Sequence, residues 1–174
     1  MNLFQKSLSL LTIMFALVLP QLSAQSLPSP LVPDETTIGS LCTPSHADFA
    51  EYRYSENIPY CRRNVATSLK QQIYEEYQIP KECRGEYTID HFYPLSLGGD
   101  NQRENLWPEH KAIKESRMNL ETRLYRDISK AAVSQAEALQ IIKEKKLNPN
   151  IDQIPQGSYC SNKLIQDLIS KHFR

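Results

Sequence analysis

Fifteen residues, YTIDHFYPLSLGGDN at positions 87–101, decide the fold of this chain together with NLWP at positions 105–108. Residues 86–90 include Tyr, Thr and Ile and therefore predict a strand. Gly98-Gly99 predicts a tight turn, since glycine adopts the positive φ angles that a sharp reversal needs. Asp90 and His91 are thus expected side by side at a strand end, just before the chain reverses.

Asp90 and His91 combine a metal ligand with a proton acceptor. A carboxylate binds hard divalent cations, and an imidazole with a reference pKa of about 6.5 can accept a proton at neutral pH. Neighbours on a strand point to opposite sides, but at a strand end both can face one bound group. We therefore assign Asp90 as metal ligand and His91 as general base. A buried, structural Asp–His pair is the alternative.

The order of these motifs resembles the HNH (ββα-metal) endonucleases, and most closely their secreted bacterial subgroup. The shared pattern is DHxxPLxxGG from Asp90 to Gly99, then NLWPE from Asn105, then a Lys-rich helix. The resemblance is strongest over residues 86–121 and reaches back to about residue 41 through a Cys-Thr-Pro start. Asp-His alone is a common dipeptide, whereas the combination at these spacings is specific.

This resemblance implies an α+β fold: a small ββα-metal core (HNH, or His-Me finger) with flanking helices, cross-linked by disulfides. In that family the middle asparagine stabilises the loop between the strands and keeps the base oriented. Here that residue is Asn105, fourteen residues after His91. An amide both donates and accepts hydrogen bonds, which suits this role.

The family also implies metal ligands on the following helix. Glu115 and Asn119 are spaced i,i+4 and would share a helical face, and His110 competes with them. The chain departs from the family pattern here, because no histidine occurs between Lys111 and Lys171. Carboxylate and amide ligands with Asp90 would favour one divalent cation, Mg²⁺ or Mn²⁺, over Zn²⁺. A solvated helix face is the alternative for Glu115 and Asn119.

Net charge gives no general attraction to nucleic acid, because the chain has 20 basic and 20 acidic residues. The segment from residue 101 to 126 is locally basic, however, with six basic and four acidic residues. We expect four of these to contact phosphates: Arg103, Lys111, Lys114 and Arg117. A solvated surface is again the alternative.

The N-terminus has the features of a secretory signal. Lys6 precedes an apolar run from residue 8 to 19, and small residues follow at Ser23-Ala24. We therefore predict a signal peptide over 1–24, with an uncleaved anchor as the alternative. An extended Pro/Ser-rich leader is predicted over 25–40. The nuclease domain is predicted over 41–174, with its core at 84–129 and C-terminal helices at 134–174.

Four cysteines in an exported chain favour disulfides. Three pairings are possible, and we prefer Cys42–Cys61 with Cys83–Cys160. The first would close the N-terminal segment, and the second would fasten the C-terminal tail beside the active-site strand.

The remaining patterns predict the other elements. Residues 41–60 lack periodicity and predict an irregular segment. Helices are predicted over 62–78, 109–129, 134–146 and 161–173, with a short second strand over 105–107. Ser134 and Glu137 form a capping box. Leu106 and Trp107 are predicted to pack in the core beneath the site.

Together these features predict an exported, monomeric, metal-dependent endonuclease. It would hydrolyse phosphodiester bonds in DNA, or alternatively RNA, with low sequence specificity, since no base-reading module is visible. One alternative is an exported binding protein on a degenerate HNH scaffold, without catalysis. Another is a phosphodiesterase with a different substrate. The sequence does not indicate an immunity partner or a biological role.

Overall fold

The structure, a computed structural model, describes residues 32–149 and Cys160. In this part the strands are β1 (Phe49–Arg53), β2 (Ile58–Cys61), β3 (Tyr87–His91) and β4 (Leu106–His110). The helices are α1 (Thr67–Glu76), α2 (Lys111–Ser116), α3 (Leu120–Ser129) and α4 (Gln135–Leu147). The fold is α+β, as predicted. The proposed signal peptide and the helix at 161–173 lie outside the described residues.

Strands β1 and β2 form an antiparallel hairpin with an irregularity between Phe49 and Glu51. The prediction of an irregular segment is therefore wrong for the residues from 49 onward. These strands lack a period-two apolar pattern, because most of their side chains are at least partly exposed. Ile58 and Cys61 instead anchor the hairpin in the interior.

Strands β3 and β4 form the second antiparallel hairpin, whose connection positions the site. Asp90 pairs with Trp107 and His91 with Leu106. Both strand predictions are confirmed, and β4 extends further than expected, to His110. Leu106 and Trp107 are fully buried, as predicted.

The connection between β3 and β4 depends on its two glycines. Gly98 has a φ of +90°, as its place in the turn predicts. Gly99 lies directly against the backbone of Tyr93, where a Cβ atom would collide with the carbonyl oxygen. The loop can therefore close only around residues without a side chain.

The single helix predicted over 109–129 is wrong. Residues 109 and 110 belong to β4, and the helical part is divided into α2 and α3 by a turn at 117–119. His110 begins α2 by accepting a hydrogen bond from the Ala112 amide at 3.3 Å. Helix α2 contacts β4 and α3 contacts α4. The chain changes direction because the two halves pack on different partners.

Two apolar clusters surround the hairpins. The first joins α1 to the β3–β4 hairpin through buried residues that include Ile73, Tyr77, Ile79, Tyr87, Ile89, Phe92, Leu106 and Trp107. The second joins α3, α4 and the β1–β2 hairpin through Ile58, Leu97, Leu120, Leu124, Ile128, Ala138 and Ile142. The predicted α1 is confirmed over Thr67–Glu76, and α4 begins at the predicted Ser134 capping box.

The preferred disulfide pairing is confirmed. Cys42 is bonded to Cys61 and Cys83 to Cys160, with Cα–Cα distances of 5.7 and 5.4 Å. Such bonds persist in oxidising compartments and indicate a protein outside the cytoplasm. A search of the described residues found no helix of the length and apolarity that crossing a membrane requires.

Part of the predicted leader packs on the domain. Thr37 is buried, and its hydroxyl lies 3.0 Å from the Tyr77 hydroxyl. The Gly39 amide donates to the Glu104 carbonyl at 2.9 Å, and the Ser40 hydroxyl donates to Asp100 at 2.6 Å. Residues 37–40 are therefore integrated with the loop that leads into β4.

Candidate active site

Asp90 and His91 lie at the end of β3, where the sequence places them, and both are buried, with exposures of 4% and 2%. Their side chains have different surroundings. His91 meets a polar loop, whereas Asp90 meets ammonium groups from two helices.

The hydrogen bonds of Asn101 determine the tautomer of His91. The Asn101 amide nitrogen donates to the Asp48 carboxylate and to the Arg62 carbonyl. Its oxygen therefore faces His91 and accepts from Nε2 at 3.0 Å. In neutral His91 the proton is thus on Nε2, and Nδ1 carries the lone pair.

Burial keeps His91 neutral. It lowers the pKa of the imidazole to about 4, although the hydrogen bond to Asn101 opposes the shift, and the nearby Arg63 charge lowers the pKa further. Nδ1 is buried and has no hydrogen-bond partner among the described residues. An unpartnered, deprotonated nitrogen of this kind is a proton acceptor, and unsatisfied buried groups often mark functional positions.

Asp90 is ionised because two lysines surround it. The Lys114 ammonium lies 2.7 Å from Oδ1, and the Lys146 ammonium lies 3.5 Å from Oδ2. Burial alone would raise the pKa of this carboxyl, but Lys146 and Lys114 together hold it well below its usual range. Asp90 is therefore an anion throughout the physiological pH range.

Lys146 is one of three site residues that the sequence did not reveal, together with Asn101 and Glu121. It lies in α4, is fully buried, and its ammonium also donates to the His91 carbonyl. Burial lowers the pKa of this ammonium, and the charges of Asp90 and Glu121 oppose the shift. A signal was present, because Lys146 continues the i,i+4 stripe formed by the buried residues Ala138 and Ile142.

Asp90 and Lys146 belong to a larger group of partnered charges that we call the charge cluster: Asp90, Glu109, Lys114, Arg117, Glu121 and Lys146. Lys146 lies 3.6 Å from the Glu121 carboxylate. Arg117 lies 3.8 Å from Glu121 and forms a close ion pair with the fully buried Glu109. Three anions and three cations therefore compensate one another beneath the hairpin.

Asn105 braces the loop between β3 and β4. Its oxygen accepts from the Tyr93 amide at 2.8 Å, and its nitrogen donates to the carbonyls of Tyr93 at 3.0 Å and Asp100 at 2.8 Å. The side chain is fully buried. It thereby holds the segment that carries Asn101, which in turn orients His91.

The three candidates for a helix-borne metal ligand are not gathered at Asp90. Glu115 and Asn119 are exposed and lie on either side of the break after α2, so they share no helical face. His110 pairs with Tyr87 at the other end of the hairpin, 3.4 Å from Glu86. The helical carboxylate that shares a cation with Asp90 is instead Glu121.

The four basic residues expected to contact phosphate all have partners within the protein. Lys114 and Arg117 belong to the charge cluster, and Lys111 donates to the Gly85 carbonyl at 2.7 Å. Arg103 pairs with Glu76 and donates to the Leu106 carbonyl at 2.9 Å. Lys114 lies against Asp90 with a side chain that is 39% exposed, so it keeps access to solvent.

A groove of about 560 Å³ lies beside the charge cluster. It is formed by residues 115–120 together with Arg123 and Arg126. Arg117 belongs to both the groove and the charge cluster. The groove therefore presents the side chains of Arg117, Arg123 and Arg126 beside helix α2, whose Lys114 pairs with Asp90.

Asp90 is the residue of this site that would hold a divalent cation. Its Oδ1 faces the partly exposed Lys114, whereas its Oδ2 and the Glu121 carboxylate lie on either side of the buried Lys146 ammonium, at 3.5 and 3.6 Å. Mg²⁺ is commonly bound by one or two carboxylates and several waters, so the ionised Asp90 fits such an ion through Oδ1. Among the described residues, no group of three carboxylate or imidazole ligands includes Asp90.

A second group of possible ligands, Cys42, His46 and Cys61, has ligand atoms within 4.8 Å of one another. Its two sulfurs form a disulfide, however, and the thiolate is the form that binds metal. In the oxidised protein this group is structural.

Comparisons of the chain with protein-family models, with curated proteins and with solved structures found no match. The likeness to HNH endonucleases therefore depends on the motifs of β3, β4 and their connection.

Proposed function

We propose that this protein is a metal-dependent endonuclease of the HNH type, with β3, β4 and α2 as its ββα-metal core. The observation that carries the proposal is the state of His91. It is neutral, its Nε2 is engaged by Asn101, and its Nδ1 lone pair is unpartnered beside an ionised Asp90. A structural Asp–His pair would be bonded internally, whereas these side chains have different partners.

In the proposed mechanism His91 Nδ1 takes a proton from the attacking water, and Asn101 stabilises the imidazolium by accepting from Nε2. An anionic phosphodiester beside the ring would raise the pKa of His91, since an opposite charge favours the protonated form. Asp90 would hold Mg²⁺ or Mn²⁺, and the ion would supply charge stabilisation to the phosphate and the leaving oxygen.

We propose DNA as the substrate, with RNA as the alternative, and cleavage of low sequence specificity. The basic side chains of the groove would contact backbone phosphates, which carry no sequence information. Two disulfides and the predicted signal peptide support export. We also propose that the protein acts as a monomer.

A second candidate is a non-catalytic binding protein on the same scaffold. The observation that favours it is the pairing of Asp90 with two lysines, as in a structural ion-pair network. The unpartnered Nδ1 of His91 argues against it, because leaving this buried nitrogen unsatisfied costs stability.

Digestion of supercoiled plasmid and of RNA by the oxidised mature protein tests the proposal. The wild type is compared with His91→Ala in Mg²⁺, Mn²⁺ and EDTA. We expect cutting that requires the metal and falls by at least about 100-fold in His91→Ala. His46→Ala is the matched control, since it removes a histidine that bonds only near the Cys42–Cys61 disulfide. Equal inactivity of all three proteins with every metal would favour the binding protein.

A further inference from the structure

The ammonium of Lys114 pairs with Oδ1 of Asp90, the proposed metal ligand. We propose that its ammonium is a counter-ion that caps Asp90 Oδ1 when no cation is bound, and that it leaves this oxygen to an incoming divalent cation. This inference rests on the proposed metal-dependent function and assigns to Lys114 a role in regulating metal binding.

The three cations of the charge cluster differ in how easily they can leave. The side chain of Lys146 is fully buried and that of Arg117 is 10% exposed, whereas that of Lys114 is 39% exposed. Lys146 has three acceptors, because it contacts Asp90, Glu121 and the His91 carbonyl. Asp90 is the partner of the Lys114 ammonium in the described structure. Lys114 can therefore turn into solvent at the lowest cost.

The net charge of the site favours the departure of Lys114 when a divalent cation binds. The charge cluster contains three carboxylates and three cationic side chains, so it is neutral. A divalent cation would add two positive charges to a buried site, which is costly in a low-dielectric interior. The departure of Lys114 takes one positive charge away from the site. The single negative charge of a bound phosphodiester compensates the other. Cation and substrate are therefore expected to favour each other's binding.

The geometry also limits how the cation is bound. Oδ1 of Asp90 becomes available when Lys114 leaves, while Oδ2 stays near Lys146. Lys146 thus keeps its contacts with the carbonyl of His91 and with Asp90 during the exchange. The released Lys114, one helical turn from the groove residue Arg117, can then contact a phosphate.

Titration with Mn²⁺ tests the exchange without a measurement of activity. The dissociation constant is measured by the loss of the free Mn²⁺ signal in electron paramagnetic resonance, using the oxidised mature chain. We expect Lys114→Met to bind Mn²⁺ about three- to tenfold more tightly than wild type, because one competitor for Asp90 is gone. Lys111→Met is the matched control. It removes the same charge three residues earlier from a lysine that bonds to Gly85, and its affinity should equal that of the wild type.

The Mn²⁺ titrations distinguish failure of the metal site from failure of the Lys114 exchange. Mn²⁺ binding that disappears in Asp90→Asn, with unchanged or weaker binding in Lys114→Met, would overturn the exchange and leave the metal site intact. Equal tightening in Lys111→Met would overturn it also, because the effect would then be one of general charge. Absence of Mn²⁺ binding in every variant would overturn the metal site and the exchange together.

Chemical acetylation gives a second readout on the unaltered protein. The rate at which Lys114 is acetylated is followed by peptide mass spectrometry in EDTA and in Mg²⁺, with Lys111 as the internal reference. We expect the ratio of Lys114 to Lys111 modification to rise at least about threefold in Mg²⁺, since an ion-paired amine reacts more slowly than a released one. An unchanged ratio at saturating Mg²⁺ would contradict the release of Lys114.

Discussion

At the scale of single residues, the site is governed by what lies around two adjacent side chains. His91 is neutral because burial disfavours its charge, and Asp90 is ionised because two lysines outweigh its burial. The Asn101 amide nitrogen donates to Asp48 and to the Arg62 carbonyl, so its oxygen faces His91 and fixes the tautomer with the proton on Nε2. The chemistry of the pair is thus determined by residues that contact it from other segments.

The pH profile of cleavage should reflect the low pKa of His91. A base with a depressed pKa loses activity only as the pH falls through that lowered value, so the acid limb of kcat/KM should lie near pH 4, well below 6.5. Asp90 does not add to this limb, because its pKa is lower still. Initial rates on a short duplex at saturating Mg²⁺, measured from pH 3.5 to 8, provide the test. An acid limb near pH 6.5 would contradict the buried, neutral state of His91.

Asn101 is expected to act as a positioning residue. Replacement by Ala removes the acceptor for Nε2 and should lower kcat about 10- to 100-fold with little change in KM, a size typical of lost orienting contacts. Asn101→Asp keeps an acceptor oxygen and should recover part of kcat. It should also move the acid limb to higher pH, since a carboxylate stabilises the imidazolium. If Asn101 had a purely structural role, the acid limb would not move in Asn101→Asp, and the kcat of this variant would not exceed that of Asn101→Ala.

At the scale of elements, the site is assembled where a hairpin meets three helices. Strand β3 carries Asp90 and His91, and α2, α3 and α4 contribute Lys114, Glu121 and Lys146. The break between α2 and α3 separates the two contacts, since α2 packs on β4 and α3 packs on α4. Helix α4 is therefore part of the site, although it begins about 45 residues after Asp90 in the sequence.

Removal of the Lys146 charge should show how α4 supports the site. Lys146→Met removes the fully buried cation that Asp90 and Glu121 share, and should lower the free energy of unfolding by about 3 kcal/mol, as for other broken buried ion pairs. Lys143→Met, on the exposed side of the same helix, should change it by less than about 0.5 kcal/mol. Urea unfolding of the oxidised proteins gives both values. Equal stabilities would mean that the charge cluster does not hold α4 in place.

At the scale of the whole molecule, two disulfides connect segments that are far apart in the sequence. Cys42–Cys61 closes a separation of 19 residues around the β1–β2 hairpin, and Cys83–Cys160 closes one of 77 residues. The second bond connects the turn before β3 to the C-terminal segment. The strand that carries the site is thus fastened close to its start.

The two disulfides should contribute unequally to stability. In the chain-entropy description, the longer loop gains about 1 kcal/mol more than the shorter one. The double variant Cys83→Ala/Cys160→Ala should therefore unfold at lower urea concentration than Cys42→Ala/Cys61→Ala. Equilibrium unfolding without reductant measures both, with the unaltered oxidised protein as reference. The opposite order would show that local strain or contacts, and not loop length, dominate.

Local sequence patterns were sufficient to predict the β3 strand with Asp90 and His91 at its end, the glycine turn and the capping box of α4. For the cysteines the sequence left three pairings open, and the folded chain gives Cys42–Cys61 and Cys83–Cys160. Only the tertiary structure decided the partners of these residues. Lys146 reaches the site, and Asp48 and Arg62 orient Asn101, because distant segments pack together. The i,i+4 stripe places Lys146 on the buried face of α4, but its partners Asp90 and Glu121 become visible only in the folded chain. The same holds for the break after α2, since no glycine or proline marks it and packing on two different partners produces it.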